Sequence, residues 1–127
     1  MLQTGLDLFR GHSLLYFLMN CVKINTNQEW HEHVMSSQKP VVVSFFAEWC
    51  APCHKLNPQL IQEAEKNCEK WQLAFVNVDN EELYDVVQQI AKAQIPSVHL
   101  LNRGTSIDSM TGYSERKTKS FIDKVCS

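Results

Sequence analysis

The stretch VVVSFFAEWCAPC, Val41 to Cys53, decides the reading of this chain. Val41 to Phe46 is an almost unbroken run of apolar, β-favouring residues, the pattern of a central strand buried on both faces. Cys50 and Cys53 follow it, and beyond them Leu56, Leu60, Ile61 and Ala64 recur at helical spacing. The two cysteines therefore stand at a strand-to-helix junction. Thiols with two residues between them can close a small disulfide there, and the first helical turn points backbone N–H groups toward them. A helix terminus stabilises a nearby anion by about 0.3 to 1 kcal/mol, which lowers a thiol pKa by up to about one unit. Because nucleophilicity falls with basicity, most of the gain in attack is cancelled, and the larger effect is on leaving-group quality and redox poise.

The same motif has three other uses. Cys50-Ala51-Pro52-Cys53-His54 spells C-x-x-C-H, the attachment pattern of c-type haem. Haem would want a helical pocket and an axial partner, whereas this motif follows a buried strand. A zinc site built from Cys50, Cys53 and members of Cys68, His54, His31 and His33 lacks a second C-x-x-C or a paired His at finger-like spacing. An inert structural pair is an odd choice where a buried strand runs into a Trp-Cys junction. Thiol-disulfide exchange fits better: Cys50 attacks a substrate disulfide, Cys53 resolves the mixed disulfide, and an external dithiol or reductase reduces the pair again. Neither a metal nor an organic cofactor is expected. Pro52 restricts how the helix starts, while His54 and Lys55 add switchable or positive charge.

Outward from the motif, strand and helix signals alternate. Cys21-Val22-Lys23-Ile24 is a short strand, and Asn27 offers an N-cap to a helix with Trp30 and Val34 four apart. Pro40 ends that region. Pro58 falls inside the helix after Cys53 and predicts a kink. Leu73 to Val78 reads as a strand, Leu83, Val86, Val87 and Ile90 as a helical stripe, and Ser97 to Leu101 as a strand following Pro96. Asn102-Arg103-Gly104 is a turn into Thr105 to Thr111, so this pair is expected to form a hairpin. Phe121, Ile122 and Val125 close the chain as an amphipathic helix. The order β-α-β-α-β-α-β-β-α is that of an α/β domain with a central mixed β-sheet flanked by helices.

Size and composition agree. With 127 residues, 44% hydrophobic and 20% charged, the chain suits one compact domain. The net charge of −2 gives no general field for nucleic acid or anionic membrane, so neither is an expected partner, and a monomer is expected. The longest apolar stretch, Leu14 to Met19, is far short of the roughly 18 to 20 residues that span a bilayer. Residues 1–20 lack the periodicity that follows and read as an N-terminal extension, targeting or flexible, ahead of a domain over 21–127. Cys21, Cys68 and Cys126 stand singly and read as structural thiols. His31, His33 and His99 read as surface or satisfied core histidines, Met110 as packing, and Glu63, Glu65, Glu81 and Glu82 as a solvated face.

The chain resembles the thioredoxin family from about Val22 to Val125. Beside the Trp-Cys-x-Pro-Cys core, the resemblance rests on Pro58, Asp79 at a strand end, Ile95-Pro96 before the next strand, the Gly104 turn and Gly112. It implies the thioredoxin fold, a protein-disulfide reductase and disulfide-containing proteins as substrates, with a thioredoxin-reductase-like or dithiol system for recycling. It also implies that Pro96 is cis and lies against the disulfide. Trp49, Ala51, Pro52, Ile95, Pro96 and Gly112 would then line the substrate surface. Met35 to Val43 looks closest to mitochondrial members, so the compartments expected are mitochondrial or cytoplasmic, and secretion is not expected.

Three residues depart from the family pattern. Ala51 replaces the glycine usual between the cysteines, which should shift redox poise. Ser44 stands where the family normally has a buried acid, and Phe75 where many members carry a lysine near it. Removing both charges leaves a neutral interior but also removes the expected proton acceptor for Cys53. Ser44, through water, then becomes the candidate for proton transfer, with Glu48 and His54 beside it. The alternative reading is a thioredoxin-fold subunit that binds client proteins with little turnover.

Overall fold

The computed structural model describes residues 21–67, 69–92 and 94–127; the expected extension, residues 1–20, and Cys68 lie outside the described residues. Among the described residues, five strands form one sheet: β1 (Cys21–Ile24), β2 (Val41–Phe46), β3 (Gln72–Asn77), β4 (Ser97–Asn102) and β5 (Thr105–Thr111), in the order β1-β3-β2-β4-β5. β1, β3 and β2 run parallel, and β4 and β5 are antiparallel additions on the other side of β2. The valine run thus becomes the central strand, with hydrogen-bonded neighbours on both edges.

Among the described residues, four helical segments cover the two faces. α1 starts as Asn27–Trp30 and continues through a π-helical turn at His31–Met35. α2 is the fifteen-residue helix Cys53–Asn67, with Pro58 inside it. α3 is composite, made of a 3₁₀ turn at Glu81–Leu83, an α-helical turn at Tyr84–Val86 and a π-helical turn at Val87–Ala91. α4 is Glu115–Cys126. The side-chain period of two splits β2 between the faces: Val41, Val43 and Phe45 pack with α1 and α3, while Val42 packs with Leu56, Leu60 and Ala64 of α2 and Phe121 and Ile122 of α4. The expected thioredoxin fold, with a mixed sheet flanked by helices, is the fold observed.

Two expectations need correction. The N-cap of α1 is Thr26 rather than Asn27: the Thr26 hydroxyl accepts from the Glu29 N–H at 3.0 Å, and Asn27 is already helical. Glu63 is not on a solvated face but is 5% exposed between α2 and α4, with Lys119 Nζ at 3.6 Å and Lys66 Nζ at 3.8 Å. Its charge is tolerated there because two ammonium groups reach it.

Candidate active site

One end of the sheet collects the residues of interest. The loop leaving β2 carries Glu48 to Pro52, the turn leaving β3 carries Asp79, the chain enters β4 through Ile95-Pro96, and β5 leaves through Gly112. β2 and β3 are parallel whereas β4 is antiparallel to β2, so the ends of β2 and β3 meet the start of β4.

Cys50 and Cys53 are joined by a disulfide, with their Cα atoms 5.4 Å apart. Together with Ala47 they form a small buried cluster, against which Phe46, Val78 and Ile95 pack. Cys50 is 5% exposed and Cys53 1%. An attacking Cys50 reads from the sequence as the sulfur at an exposed mouth, and that expectation is corrected: the residue is buried. The Cys50 N–H donates to the Ala47 carbonyl at 3.1 Å, and this turn folds the residue inward. Trp49, at 70% exposure, is what stands out beside it. Cys50 still remains the more accessible of the two sulfurs' residues.

The first N–H groups of α2 are not open toward the sulfurs, as the sequence suggested. Those of Cys53, His54 and Lys55 donate to the carbonyls of Cys50, Ala51 and Pro52, each at 3.1 Å, in a tight first turn. What reaches the sulfurs is the field of the whole helix, positive at this end.

On the rim, Trp49 Nε1 donates to Asp79 Oδ2 at 2.9 Å. His54 Nε2 lies 2.8 Å from the Glu48 carbonyl, which can only accept, so this ring nitrogen carries a hydrogen. Glu48, Ala51, Pro52 and His54 are exposed. The Ile95-Pro96 bond is cis, Pro96 is buried, and the Gly112 N–H donates to the Pro96 carbonyl at 2.9 Å. Gly112 has φ +76°, and a Cβ built on it would meet nothing within 4 Å. Its glycine is required by the backbone, and the space beside it stays open.

Ser44 lies away from the rim. It points to the α2 face in a cross-strand row made of Lys23, Phe75, Ser44, Val98 and Met110. Phe75, Val98 and Met110 are buried and apolar, so the fully buried Ser44 hydroxyl needs a partner. It donates to Asn57 Oδ1 at 2.7 Å. Asn57, which the sequence reading did not single out, also lines a solvent-open cavity of ≈ 220 Å³ that Cys53 borders, with Lys23, Glu48, His54 and Phe75. The signal that could have found it is position: Asn57 is one helical turn beyond Cys53, hence on the same face. Among the described residues no group of three or more His, Cys, Asp or Glu is placed to hold a metal ion.

The thioredoxin family model matches residues 21–124. The chain belongs to the thioredoxin family. It is 32% identical over 103 residues to thioredoxin 1 of Plasmodium falciparum, covering 81% of this chain and 96% of that one. It is 29% identical over 103 residues to the mitochondrial thioredoxin of Bos taurus, covering 80% of this chain and 61% of that one. The solution structure of oxidised thioredoxin from Plasmodium falciparum superposes with a TM-score of 0.72 at 26% identity, over 84% of this chain and 99% of the other. With the Cys50–Cys53 disulfide in the C-x-x-C position, the chain is a thiol-disulfide oxidoreductase, a protein-disulfide reductase of this family. Family membership carries disulfide substrates and a reductase-type recycling system with it.

Proposed function

We propose that Cys50 is the attacking sulfur and Cys53 the resolving one. The observation that carries this assignment is their unequal burial at the start of α2: Cys50 keeps some exposure beside Trp49, while Cys53 is all but sealed and bonded to Cys50. A sealed thiolate can reach only the sulfur next to it, which is what resolution of a mixed disulfide requires. Trp49, Ala51, Pro52, Ile95, Pro96 and Gly112 form the surface that receives the substrate segment. The packing of Ile95 on the cysteine cluster and the open space at Gly112 support that role.

The domain spans 21–127, an extent supported by the family match and by β1 beginning at Cys21, with residues 1–20 as an extension. The protein works as a monomer recycled by a thioredoxin-reductase-like or dithiol system, in a mitochondrial or cytoplasmic setting. The likeness to a mitochondrial thioredoxin supports the first of these compartments. No helix among the described residues is long and apolar enough to cross a membrane.

Reduction of a protein disulfide such as insulin's, with dithiothreitol as recycling thiol, tests the assignment. Wild type is expected to turn over, and Cys50→Ser to fall to the uncatalysed rate. A second reading, a client-binding subunit with little turnover, is favoured by Ser44 and Phe75 in place of the family's charged pair. An inactive wild type that still binds reduced client would select it.

A further inference from the structure

We infer that Cys53 gives up its proton into the cavity it lines, and that Asn57, held by Ser44, is the positioning residue for that transfer. This rests on the reading of Cys53 as the resolving sulfur.

When substrate is joined to Cys50, Cys53 is a thiol, and only its thiolate can attack. A residue that is 1% exposed has few routes for the proton. Ser44 cannot accept it: a hydroxyl is no base at neutral pH, and its hydrogen is committed to Asn57 Oδ1 at 2.7 Å. The cavity of ≈ 220 Å³ that Cys53 lines has room for several waters, at about 30 Å³ each. Its charged or titratable lining groups besides Cys53 are Lys23 from β1, Glu48 from the loop after β2 and His54 from α2. The Ser44 bond engages the carbonyl end of the Asn57 amide and leaves its NH₂ end as the donor that this inference assigns to the cavity Asn57 lines. A donor there favours the thiolate over the thiol. Lys23, directly across from Phe75, brings a positive charge to this lining and Glu48 a negative one, so the amide is the donor that tips the balance.

The step balances. The Cys53 S–H bond breaks and its proton passes through cavity water to solvent. The Cys53–Cys50 bond forms as the bond from Cys50 to the substrate sulfur breaks, and the departing thiolate takes a proton from solvent. The two electrons that reduce the substrate disulfide come from the cysteine pair.

The test is stopped-flow reaction of the reduced chain with one equivalent of 5,5′-dithiobis(2-nitrobenzoate), followed across pH. Attack by Cys50 releases one thionitrobenzoate in a second-order phase, and resolution by Cys53 releases another in a first-order phase. Asn57→Leu is expected to raise the pH midpoint of the second phase by about one unit, the effect of losing one donor to an anion. With a Brønsted coefficient of ~0.4 to 0.5, the second phase becomes about threefold slower at pH 7 and about threefold faster on the alkaline plateau, so the two profiles cross. The first phase should stay within about twofold. Ser44→Ala, which releases the amide, should shift the midpoint the same way by less. Coincident profiles for Asn57→Leu, or equal slowing at every pH, would overturn the inference. Absence of a second phase in the unaltered chain would instead remove Cys53 as resolving sulfur, and the inference with it.

Discussion

Trp49 donates its indole N–H to the Asp79 carboxylate at 2.9 Å, tying the loop that bears Cys50 to the turn after β3. Trp49 is 70% exposed, so burial does little to hold it. The hydrogen bond fixes a large apolar face beside the disulfide, where a protein substrate would meet it. Fixing that ring in advance lowers the ordering cost of docking.

Asp79→Ala should therefore weaken protein substrates more than small ones. A lost hydrogen bond of about 1 kcal/mol corresponds to about a fivefold fall in kcat/KM for a protein disulfide. Attack on a small aryl disulfide should stay within about twofold, since no extended surface is used. Comparing the two substrates on one variant makes the check.

Gly112→Ala separates backbone strain from substrate contact. The φ of +76° costs a non-glycine residue about 1 kcal/mol, while the added methyl meets no protein atom within 4 Å. Denaturant unfolding should show that modest loss and no more. KM for a protein disulfide should rise, because the methyl enters the space proposed for the substrate chain.

His99 gives stability a pH dependence. It lies on β4 with Nδ1 3.0 Å from Ser106 Oγ and its ring edge-on to Phe45. Burial, and secondarily the Lys92 ammonium, hold its pKa below the ordinary 6.5. The unfolded chain thus binds a proton more readily than the folded one. This group's contribution is fully present above about pH 6.5 and is lost as pH falls from there toward the folded value, by at most about 1.4 kcal/mol per unit. His99→Gln should flatten that limb of an unfolding-free-energy profile.

Ser44→Asp would restore an acid between Phe75 and Val98, with Asn57 as its partner and no lysine at position 75. Burying that carboxylate should cost more than the about 1 to 3 kcal/mol of an unpaired neutral polar group at neutral pH. Desolvation raises the folded carboxyl pKa above its unfolded value, so the penalty should shrink as pH falls toward the carboxyl range. Insulin turnover should not rise, since the proton already has a route. A clear gain would mean the absent acid limits the enzyme.

The parts of the fold legible in the sequence are those written locally. The valine run, the C-x-x-C that follows it and the Asn102-Arg103-Gly104 turn each occupy a few adjacent residues. The turn forms as read, with Arg103 and Gly104 both at positive φ. Adjacent capping residues are harder to separate: Thr26 and Asn27 both offer a side-chain oxygen, and backbone geometry chose the threonine. Glu63 looked solvated because its neutralising Lys119 arrives from another helix, and helix spacing says nothing of such a partner. Asn57 was missed for a similar reason, since its meaning depends on a strand residue thirteen positions earlier. The inward fold of Cys50 likewise depends on Val78 and Ile95 packing over it from distant segments.

With Cys50 attacking and Cys53 resolving, two sulfurs divide one reaction between them, and trapping separates the two roles. Cys53→Ser and Cys50→Ser chains would each be incubated with a disulfide-bonded protein and examined by intact mass and peptide mapping. A stable, dithiothreitol-sensitive adduct is expected on Cys50 in the Cys53→Ser chain, and no corresponding adduct on Cys53 in the Cys50→Ser chain. Equal trapping at both cysteines, or at Cys53 alone, would contradict that division.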